Sequence, residues 1–209
     1  MAYGSYDGAL RDLIHLLKFN QVRPIAPILG RLLAHTIAGL ESSLPAGRIA
    51  IVPVPLYAKK KTQRGFNQAE VIARATLKHL ARTGRFEGRF EICTGVLVRT
   101  RDTASQIGLS RRQRRENLRG AFAISDPAPI LKRDILLIDD VFTTGATAAE
   151  CALVLRRAGA GRVWVATVAR TLKDSDASAT AGDLSLSLRS GRDENGEVSE
   201  RFAVAAKVS

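Results

Sequence analysis

The sequence has little cysteine, few aromatic residues and no long apolar run, and each shortage excludes a class of protein. Its two cysteines, Cys93 and Cys151, are too few for a disulfide framework or a four-ligand zinc site. No apolar stretch approaches the roughly 20 residues of a membrane-spanning helix, and the first residues lack the basic and apolar regions of a signal peptide. We therefore expect a cytoplasmic protein without membrane insertion and with no zinc site in this chain.

What the sequence does have is an excess of positive charge on an ordinary globular composition. The 209 residues include 32 Lys and Arg against 20 Asp and Glu, a formal net charge of +12. Hydrophobic residues make up 45% and charged residues 25%, which excludes disorder throughout the chain. The charge predicts an anionic partner, which is nucleic acid, a membrane surface or a phosphorylated small molecule.

The composition changes after residue 170. Residues 171–209 are rich in Ser, Ala and Gly and carry seven acids against five bases, which leaves a net charge of +14 on residues 1–170. Leu184 to Leu188 alternates with serine and Phe202 to Val208 is apolar, a pattern compatible with a marginal hairpin. We expect a folded domain over 1–170 and a low-complexity extension over 171–209 that is mobile or forms that hairpin.

Apolar patterning over residues 1–170 predicts helices that alternate with short strands. Helices are predicted over Leu10–Lys18, Ile25–Leu40, Ala69–Leu80 and Ala146–Ala158, and strands over Ile49–Val52, Val96–Val98, Ala121–Ile124, Ile135–Ile138 and Val163–Val168. Lys59 to Gln68 and the Arg-rich stretch from Thr100 to Arg119 have no clean apolar stripe. The strand, glycine turn, helix and strand between Ile135 and Val168 form a βαβ unit, which predicts an α/β fold with a mostly parallel central sheet flanked by helices.

The residues that follow the strongest predicted strand form the main candidate for a ligand-binding site. Asp139 and Asp140 follow four apolar residues, and Val141 and Phe142 separate them from Thr143-Thr144-Gly145-Ala146-Thr147. Ligands bind outside the carboxyl ends of strands in such sheets. The backbone N–H groups at the start of the next helix favour a phosphate, and the two acids suit ribose hydroxyls or Mg²⁺. A Walker A lysine is missing, so a nucleoside triphosphatase is disfavoured.

This string resembles the phosphoribosyl pyrophosphate (PRPP) signature of the type I phosphoribosyltransferases. Three further segments resemble the ComF (competence protein F-like) family of such proteins: Leu10 to Lys18, Val52 to Leu56 with Arg64 to Ala69, and Arg101 to Gln106 followed by Leu109, Arg115 and Asn117. The match covers roughly residues 3–170 in family order. It implies a type I phosphoribosyltransferase fold and transfer of a phosphoribosyl group to an acceptor that the sequence does not identify, with release of pyrophosphate.

The resemblance also assigns roles to residues. It makes Asp139 and Asp140 the catalytic acids, which also hold Mg²⁺ directly, through water or through the substrate. It assigns the two phosphate ends of the ligand to two loops: the 5′-phosphate to Thr143, Thr144, Gly145, Ala146 and Thr147, and the pyrophosphate to Val54, Pro55, Leu56 and Tyr57 with Lys59. It also implies a family motif, made of Arg64, Gly65, Phe66, Asn67 and Gln68, and a flexible loop that contributes Arg101, Thr103, Gln106, Arg115 and Asn117.

Two departures from the family and two other functions stay open. Many ComF-family chains begin with a cysteine-rich zinc module, which here is either absent or lost to a late start, and the tail after Arg170 does not resemble a nucleobase-binding hood. Besides an active transferase, the chain could be a competence or DNA-uptake accessory protein that binds single-stranded DNA or DNA-processing proteins, or a PRPP-sensing regulator. Seven arginines between Arg99 and Arg119 support phosphate-backbone contact, although no aromatic residue is interleaved with them.

Overall fold

A computed structural model describes residues 1–84, 86–103 and 110–171. The strands are β1 (Ala2–Ser5), β2 (Ile49–Pro53), β3 (Phe90–Ile92), β4 (Leu97–Arg99), β5 (Phe122–Ile124), β6 (Asp134–Phe142) and β7 (Val163–Arg170). The helices are α1 (Gly8–Phe19), α2 (Ala26–Gly39), α3 (Ala58–Arg64), α4 (Gln68–Arg82), α5 (Arg111–Leu118) and α6 (Ala146–Arg157), with short 3₁₀ turns at Arg23–Ile25, Glu41–Ser43 and Ala128–Ile130.

A parallel sheet of five strands in the order β1-β7-β6-β2-β3 forms the centre of the protein. All four pairings in this sheet are parallel. The strand β6 lies between β2 and β7, and its residues Ile135 to Ile138 are fully buried. Because a parallel strand in this position is covered on both faces, its sequence is a continuous apolar run rather than an alternating one.

Two hydrophobic clusters cover the two faces of this sheet. One contains Leu136 and Ile138 of β6 with apolar residues of α1, α2 and α4. The other contains Ile135 and Leu137 with apolar residues of α5, α6 and the small antiparallel pair β4–β5. Successive residues of β6 thus alternate between the two clusters, as the pleat of a strand requires. This three-layer arrangement confirms the predicted α/β fold with a parallel central sheet flanked by helices.

The predicted elements agree with the structure except at four places. The polar segment after Leu56 and the Arg-rich stretch, for which the sequence predicted no regular structure, contain α3 and α5. The short strands β1 and β3 were not predicted, because each offers only three or four residues and little apolar pattern. All but the first residue of the predicted extension over 171–209, and Gln106 of the predicted flexible loop, lie outside the described residues.

None of the helices in the described part of the chain combines the length and the apolar character needed to cross a bilayer. The longest, α4, has 15 residues and carries a buried face and a charged face. Its Arg74 pairs with Glu70 one turn earlier, at 2.9 Å. This distribution is that of a helix packed on one side against a core and exposed on the other.

Gly30 sets the separation of α2 and α4. A Cβ atom at Gly30 would lie 2.4 Å from Cβ of Ala75 and 2.8 Å from the backbone of α4. We expect Gly30→Ala to lower the free energy of unfolding by roughly 1–3 kcal/mol, because the added methyl group forces the helices apart. Urea denaturation measures this change.

The matched control is Gly39→Ala in the same helix. A Cβ atom at Gly39 would have no heavy atom within 4 Å. This substitution should leave stability unchanged or raise it by up to about 1 kcal/mol through helix propensity. Equal effects of the two substitutions would contradict the close helix contact.

Candidate functional site

The order of strands places the candidate site between β2 and β6. The chain leaves β2 through α4 toward β3 on one side, and it leaves β6 through α6 toward β7 on the other. The two helices pack on opposite faces of the sheet. This is a topological switch point, where the loops after the two strands diverge and leave a crevice.

An open cleft occupies this crevice. Its walls come from the end of α1, the segment after β2, the start of α4, the end of β4 and the end of β6. The predicted site residues that line it are Val54, Pro55, Leu56, Arg64, Asn67, Gln68, Asp139, Asp140 and Thr147. A smaller cavity, which Asp139 and Thr147 also line, continues it along the predicted phosphate loop.

The two acids at the end of β6 have different partners. Asp140 is 8% exposed, and its carboxylate Oδ2 lies 2.8 Å from Nζ of Lys18 at the end of α1. The Asp139 carboxylate accepts a hydrogen bond from the backbone N–H of Asp140, at 2.9 Å. Each acid therefore has one carboxylate oxygen engaged by a described residue.

The surroundings shift the pKa of Asp139 and the pKa of Lys18. Burial, together with the neighbouring Asp140 carboxylate, raises the pKa of Asp139 to about 7. Burial by itself lowers the pKa of Lys18, but the Asp140 carboxylate more than offsets this and raises the Lys18 pKa above its ordinary value. Lys18 is therefore a stable cation in the cleft, whereas Asp139 changes its charge near neutral pH.

The loop from Thr143 to Thr147 leads from β6 into α6. Gly145 is the N-cap of α6 with φ +77°, and a Cβ atom there would lie 2.7 Å from the Phe142 ring. Thr143, Gly145 and Thr147 line the smaller cavity. The hydroxyl of Thr144 is buried and has no hydrogen-bond partner among the described residues. Thr144 itself lines neither cavity. The backbone N–H groups at the start of α6 favour an anionic ligand next to this loop.

Asn67 joins the predicted pyrophosphate loop to the start of α4. Its Nδ2 donates to the Val54 carbonyl at 2.9 Å, and its Oδ1 accepts from the Ala69 N–H at 3.1 Å. The second bond is an N-cap, which satisfies one of the free N–H groups of the first helical turn. Asn67 is buried, so the loop after β2 is held in a fixed position relative to α4.

Of the other four residues of the Arg64 to Gln68 motif, two line the cleft and two form the turn between α3 and α4. Arg64 donates to Oε1 of Gln68 at 3.1 Å, and its guanidinium lies 5.5 Å from the Phe19 ring centroid. Gly65 ends α3 with φ +72°, and Phe66 is buried beneath the guanidinium of Arg23. Arg64 and Gln68 therefore line the cleft, whereas Gly65 and Phe66 shape the turn between the two helices.

The two ends of the Arg-rich stretch are bonded to each other, and its first end also contacts α3 and β4. Arg101 donates to the carbonyl oxygens of Asn117 and Arg119, at 3.3 Å and 2.6 Å. Lys60 of α3 pairs with Asp102 at 3.2 Å. Thr103 is buried and accepts a hydrogen bond from Arg99. These contacts fix where the stretch leaves and rejoins the domain.

The remaining predicted site residues lie at the edge of the site or outside it. Tyr57 forms an isolated parallel bridge with Arg99, which joins the loop after β2 to β4. Ala146 is buried in the first turn of α6. Lys59 and Arg115 are exposed, on α3 and α5, and line neither cavity. Among the described residues, no group of three or more His, Cys, Asp or Glu side chains could hold a metal ion.

Three cleft residues were not predicted from the sequence. Lys18 belongs to a segment that resembles the family. From the sequence it is only the last residue of an amphipathic helix, and nothing there predicts its contact with a residue of β6. Phe19 is 62% exposed and lines the cleft beside it. Arg99 lines the cleft from β4; the sequence had counted it only as one of the seven arginines of the Arg-rich stretch. The signal for Lys18 was the likeness of Leu10 to Lys18 to the family helix.

The chain is similar in sequence to proteins named for DNA utilization and competence. It is 39% identical over 173 residues to DNA utilization protein YhgH of Escherichia coli K12, which covers 80% of this chain and 70% of that protein. It is 34% identical to the protein of that name from Salmonella typhi, with 82% and 72% covered. It is 32% identical to competence protein F of Haemophilus influenzae, with 80% and 70% covered. No protein-family model matches the chain.

Solved structures give weaker similarities. Hypoxanthine-guanine phosphoribosyltransferase from Schistosoma mansoni in complex with IMP has a TM-score of 0.39 at 16% identity, and the match covers 71% of this chain and 57% of that one. Phosphoribosylpyrophosphate synthetase from Mycobacterium smegmatis has a TM-score of 0.40 at 16% identity, with 69% and 34% covered. Scores this low carry no argument about fold or function.

Fold and site together define an α/β protein with a parallel sheet and a ligand cleft at the switch point between β2 and β6. Its relatives at 32–39% identity, each matched over about 70% of its own length, identify the family within this class. The chain belongs to the ComF family, together with competence protein F and DNA utilization protein YhgH.

The raised pKa of Asp139 predicts a dependence of stability on pH. Between its ordinary pKa of 3.8 and the folded value of about 7, the folded protein holds a proton on Asp139 that the unfolded chain releases. The contribution of Asp139 to stability is therefore lost as pH rises through this window. Asp139→Asn keeps the acceptor for the Asp140 N–H but does not ionise, so its stability relative to the original chain should rise between pH 5 and pH 8.

Urea denaturation at several pH values measures this difference. Asp12→Asn is the control, because Asp12 is exposed on α1 and its side chain is 66% accessible. Its stability relative to the original chain should stay nearly constant over the same range. Parallel pH profiles for Asp139→Asn and the original chain would contradict the raised pKa.

Proposed function

We propose that this protein binds PRPP in the cleft between β2 and β6 and acts as a phosphoribosyltransferase-like protein in DNA utilization. The observation that carries the proposal is the meeting of the two acids of β6 with a phosphate-type loop whose Thr144 hydroxyl is buried without a partner among the described residues. Such a loop before a helix favours an anion. The adjacent acids favour a ligand that also carries hydroxyl groups.

The proposed pose follows from the order of groups along the cleft. The 5′-phosphate would lie on the Thr143 to Thr147 loop, since Thr143, Gly145 and Thr147 line the smaller cavity there. The ribose hydroxyls would donate to the oxygens of Asp139 and Asp140 that are not engaged by the Asp140 N–H and by Lys18. The pyrophosphate would then extend toward the segment after β2, where cationic side chains line the cleft.

The residues present also fit a magnesium ion. Mg²⁺ prefers oxygen ligands and keeps several waters, and it is commonly held by one or two carboxylates together with substrate phosphates. Asp139 and Asp140 would hold it directly, through water or through the substrate. Bound there, the ion would stabilise negative charge on the leaving pyrophosphate.

The proposed reaction is displacement at C1 of the ribose. A bond forms from an acceptor nucleophile to C1 as the C1–O bond to pyrophosphate breaks, and the pyrophosphate leaves with the bonding electrons. Lys18, Arg64 and Arg99 are the cations of the described cleft that would stabilise this charge. A general base for the acceptor is not evident among the cleft residues. A transferase releases pyrophosphate, whereas a regulator that only binds PRPP does not, so a measurement of pyrophosphate release distinguishes the two functions.

Removal of both acids should abolish PRPP binding. We expect calorimetric titration with PRPP and Mg²⁺ to give a binding isotherm for the original chain and no heat for Asp139→Ala/Asp140→Ala, because the ribose hydroxyls lose both of their acceptors. Asp7→Ala/Asp12→Ala is the control, since it removes the same charge from exposed positions near α1. No heat from the original chain at millimolar PRPP would overturn the proposal, and binding that survives loss of both acids would place the site elsewhere.

A second candidate function is contact with single-stranded DNA. The observation that favours it is Phe19, which is 62% exposed at the mouth of the cleft with the Arg64 guanidinium 5.5 Å from its ring centroid. His15 meets the same ring edge-on at 5.1 Å. An exposed aromatic ring beside arginine provides a surface on which an unpaired base stacks. The names of the relatives in competence and DNA utilization agree with this use.

Phe19→Ala should weaken binding of a single-stranded oligonucleotide by about 5- to 100-fold, the range expected for loss of one stacked base. Phe19→Tyr keeps the ring and should bind like the original chain. Fluorescence anisotropy at several salt concentrations measures both effects, and affinity should fall steeply with salt if phosphates are contacted. Equal affinity of the Ala and Tyr variants would exclude Phe19 as a stacking surface.

A further inference from the structure

We propose that the edge of the sheet opposite the cleft is a second binding surface, which holds the phosphate backbone of nucleic acid, duplex as well as single-stranded. This surface, the amino-edge patch, consists of residues 45–48, 131–133 and 156–162. The inference goes beyond the proposed function, because neither PRPP in the cleft nor a base stacked on Phe19 would touch these residues.

The direction of the strands brings the three segments of the patch together. They directly precede β2, β6 and β7, which are parallel, so their amino ends meet at one edge of the sheet. The Lys132 N–H donates to the Gly159 carbonyl at 2.8 Å, which joins two of the segments. Ile49 pairs in register with Asp134, which brings the third segment beside them. The acids of the cleft lie at the other end of β6, about 20 Å away at 3.3 Å per residue.

The charge of the amino-edge patch has one sign. Its 14 residues contain six Lys or Arg and no Asp or Glu. The six cations are Arg48, Lys132, Arg133, Arg156, Arg157 and Arg162. A concentration of positive charge on one surface attracts a polyanion over a distance set by the salt concentration.

The two acids that pair with these cations belong to neighbouring strands. Arg133 pairs with Glu91 at 2.9 Å, and Arg162 pairs with Asp134 at 3.2 Å. These pairs connect the starts of adjacent strands, which is a structural role. They leave an excess of positive charge on the patch, because no acid of the patch itself balances the other cations.

The remaining cations on which the inference rests are Arg48, Lys132 and Arg157. All three are exposed and form no ion pair within the described part of the chain. Arg157 ends α6, where the helix dipole favours a cation. Arg48 and Lys132 precede strands, so no helix dipole accounts for them.

Lys132 also has a backbone conformation that does not favour lysine. Its φ is +56°, in the left-handed region that glycine enters more easily than any residue with a Cβ atom. The fold at this turn therefore does not require a lysine side chain. A cation placed here despite its backbone is consistent with a binding role.

The chemistry of the patch favours phosphate over a protein or membrane partner. Five of its six cations are arginines, whose guanidinium groups bind phosphate oxygens in a bidentate manner. Its large exposed apolar residue is Leu131, which is 55% exposed and packs across Gly159. One such side chain does not provide the apolar centre of a protein interface or the apolar face that enters a bilayer.

The patch offers no platform for a base. Trp164 at the start of β7 is half-buried, and the guanidinium of Arg162 covers its ring at 4.9 Å from the centroid. Contact is therefore made with the backbone, which does not depend on base sequence or on separation of the strands. The names of the relatives in DNA utilization agree with a nucleic-acid partner.

The test is fluorescence anisotropy of the full chain with a labelled duplex and a labelled single strand of mixed sequence, at several salt concentrations. Arg48→Gln/Lys132→Gly/Arg157→Gln removes three cations of the patch. Each lost phosphate contact reduces the slope of log affinity against log salt by about 0.9 for a duplex. We expect the slope to fall by about 2 to 3 and duplex affinity at 0.1 M salt to fall at least about tenfold.

Lys132→Gly alone separates binding from folding. It removes one cation and relieves the left-handed backbone, so thermal unfolding should occur at the same temperature or higher. Duplex affinity should nevertheless fall by about 3- to 10-fold at 0.1 M salt, the effect of one phosphate contact. Unchanged affinity in both this variant and the triple variant would overturn the proposal.

Two further variants control for net charge and for the competing basic surface. Arg11→Gln/Arg31→Gln/Arg74→Gln removes the same charge from exposed positions of α1, α2 and α4, and duplex affinity should change by less than about threefold. Arg112→Gln/Arg115→Gln tests the exposed side of α5. Loss of duplex binding in this second variant, with full binding in the triple variant of the patch, would place the nucleic acid on α5 and overturn the proposal.

The remaining outcomes separate this inference from the proposed function. Binding of the single strand without binding of the duplex would contradict a backbone surface. Binding of phosphatidylserine vesicles through the patch cations, without binding of either oligonucleotide, would identify a membrane surface and overturn the proposal. Calorimetric titration of the triple variant with PRPP and Mg²⁺ should match the original chain. If the original chain binds duplex through the patch but does not bind PRPP, the patch stands and the proposed function is wrong.

Discussion

Burial of both faces of β6 is the constraint on which the rest of the structure depends. Ile135 to Ile138 have no exposed surface, and they alternate between the two hydrophobic clusters. Helices must therefore cover both faces, and the connections after β2 and β6 must leave in opposite directions. The crevice that opens between them is a consequence of this covering. The acids directly after the apolar run are carried to its edge by the same strand.

The electrostatics of the cleft result from elements that are far apart in the sequence. Lys18 at the end of α1 meets Asp140 at the end of β6, and Arg99 approaches from β4. Low exposure makes these charges interact more strongly than they would in water, and it raises the pKa of Asp139 to about 7. The result is a cleft that contains two acids and, next to them, the cations Lys18 and Arg99. A ligand that carries both hydroxyl and phosphate groups complements this mixture of charges.

The family of the chain is clear, but a family and a fold do not determine an activity. Phosphate is common to PRPP and to a nucleic-acid backbone, so the basic character of the chain alone does not choose between them. Local features distinguish the two ligands. The Thr144 hydroxyl and the Gln68 amide lie buried and unpartnered in the described part of the chain, and they suit a small ligand held inside. Phe19 is exposed at the mouth and suits an unpaired base outside.

The sequence by itself determined the fold class, because a continuous apolar run, a glycine turn and an amphipathic helix allow few arrangements other than a βαβ unit. It also identified the acids and the threonine loop, which are contiguous and so share one strand end in any such fold. Only the tertiary structure decided which distant residues join them. Lys18 is more than 100 positions from Asp140, and Phe19 and Gln68 reach the cleft from separate helices. No local pattern encodes such contacts, because the order of the strands creates them.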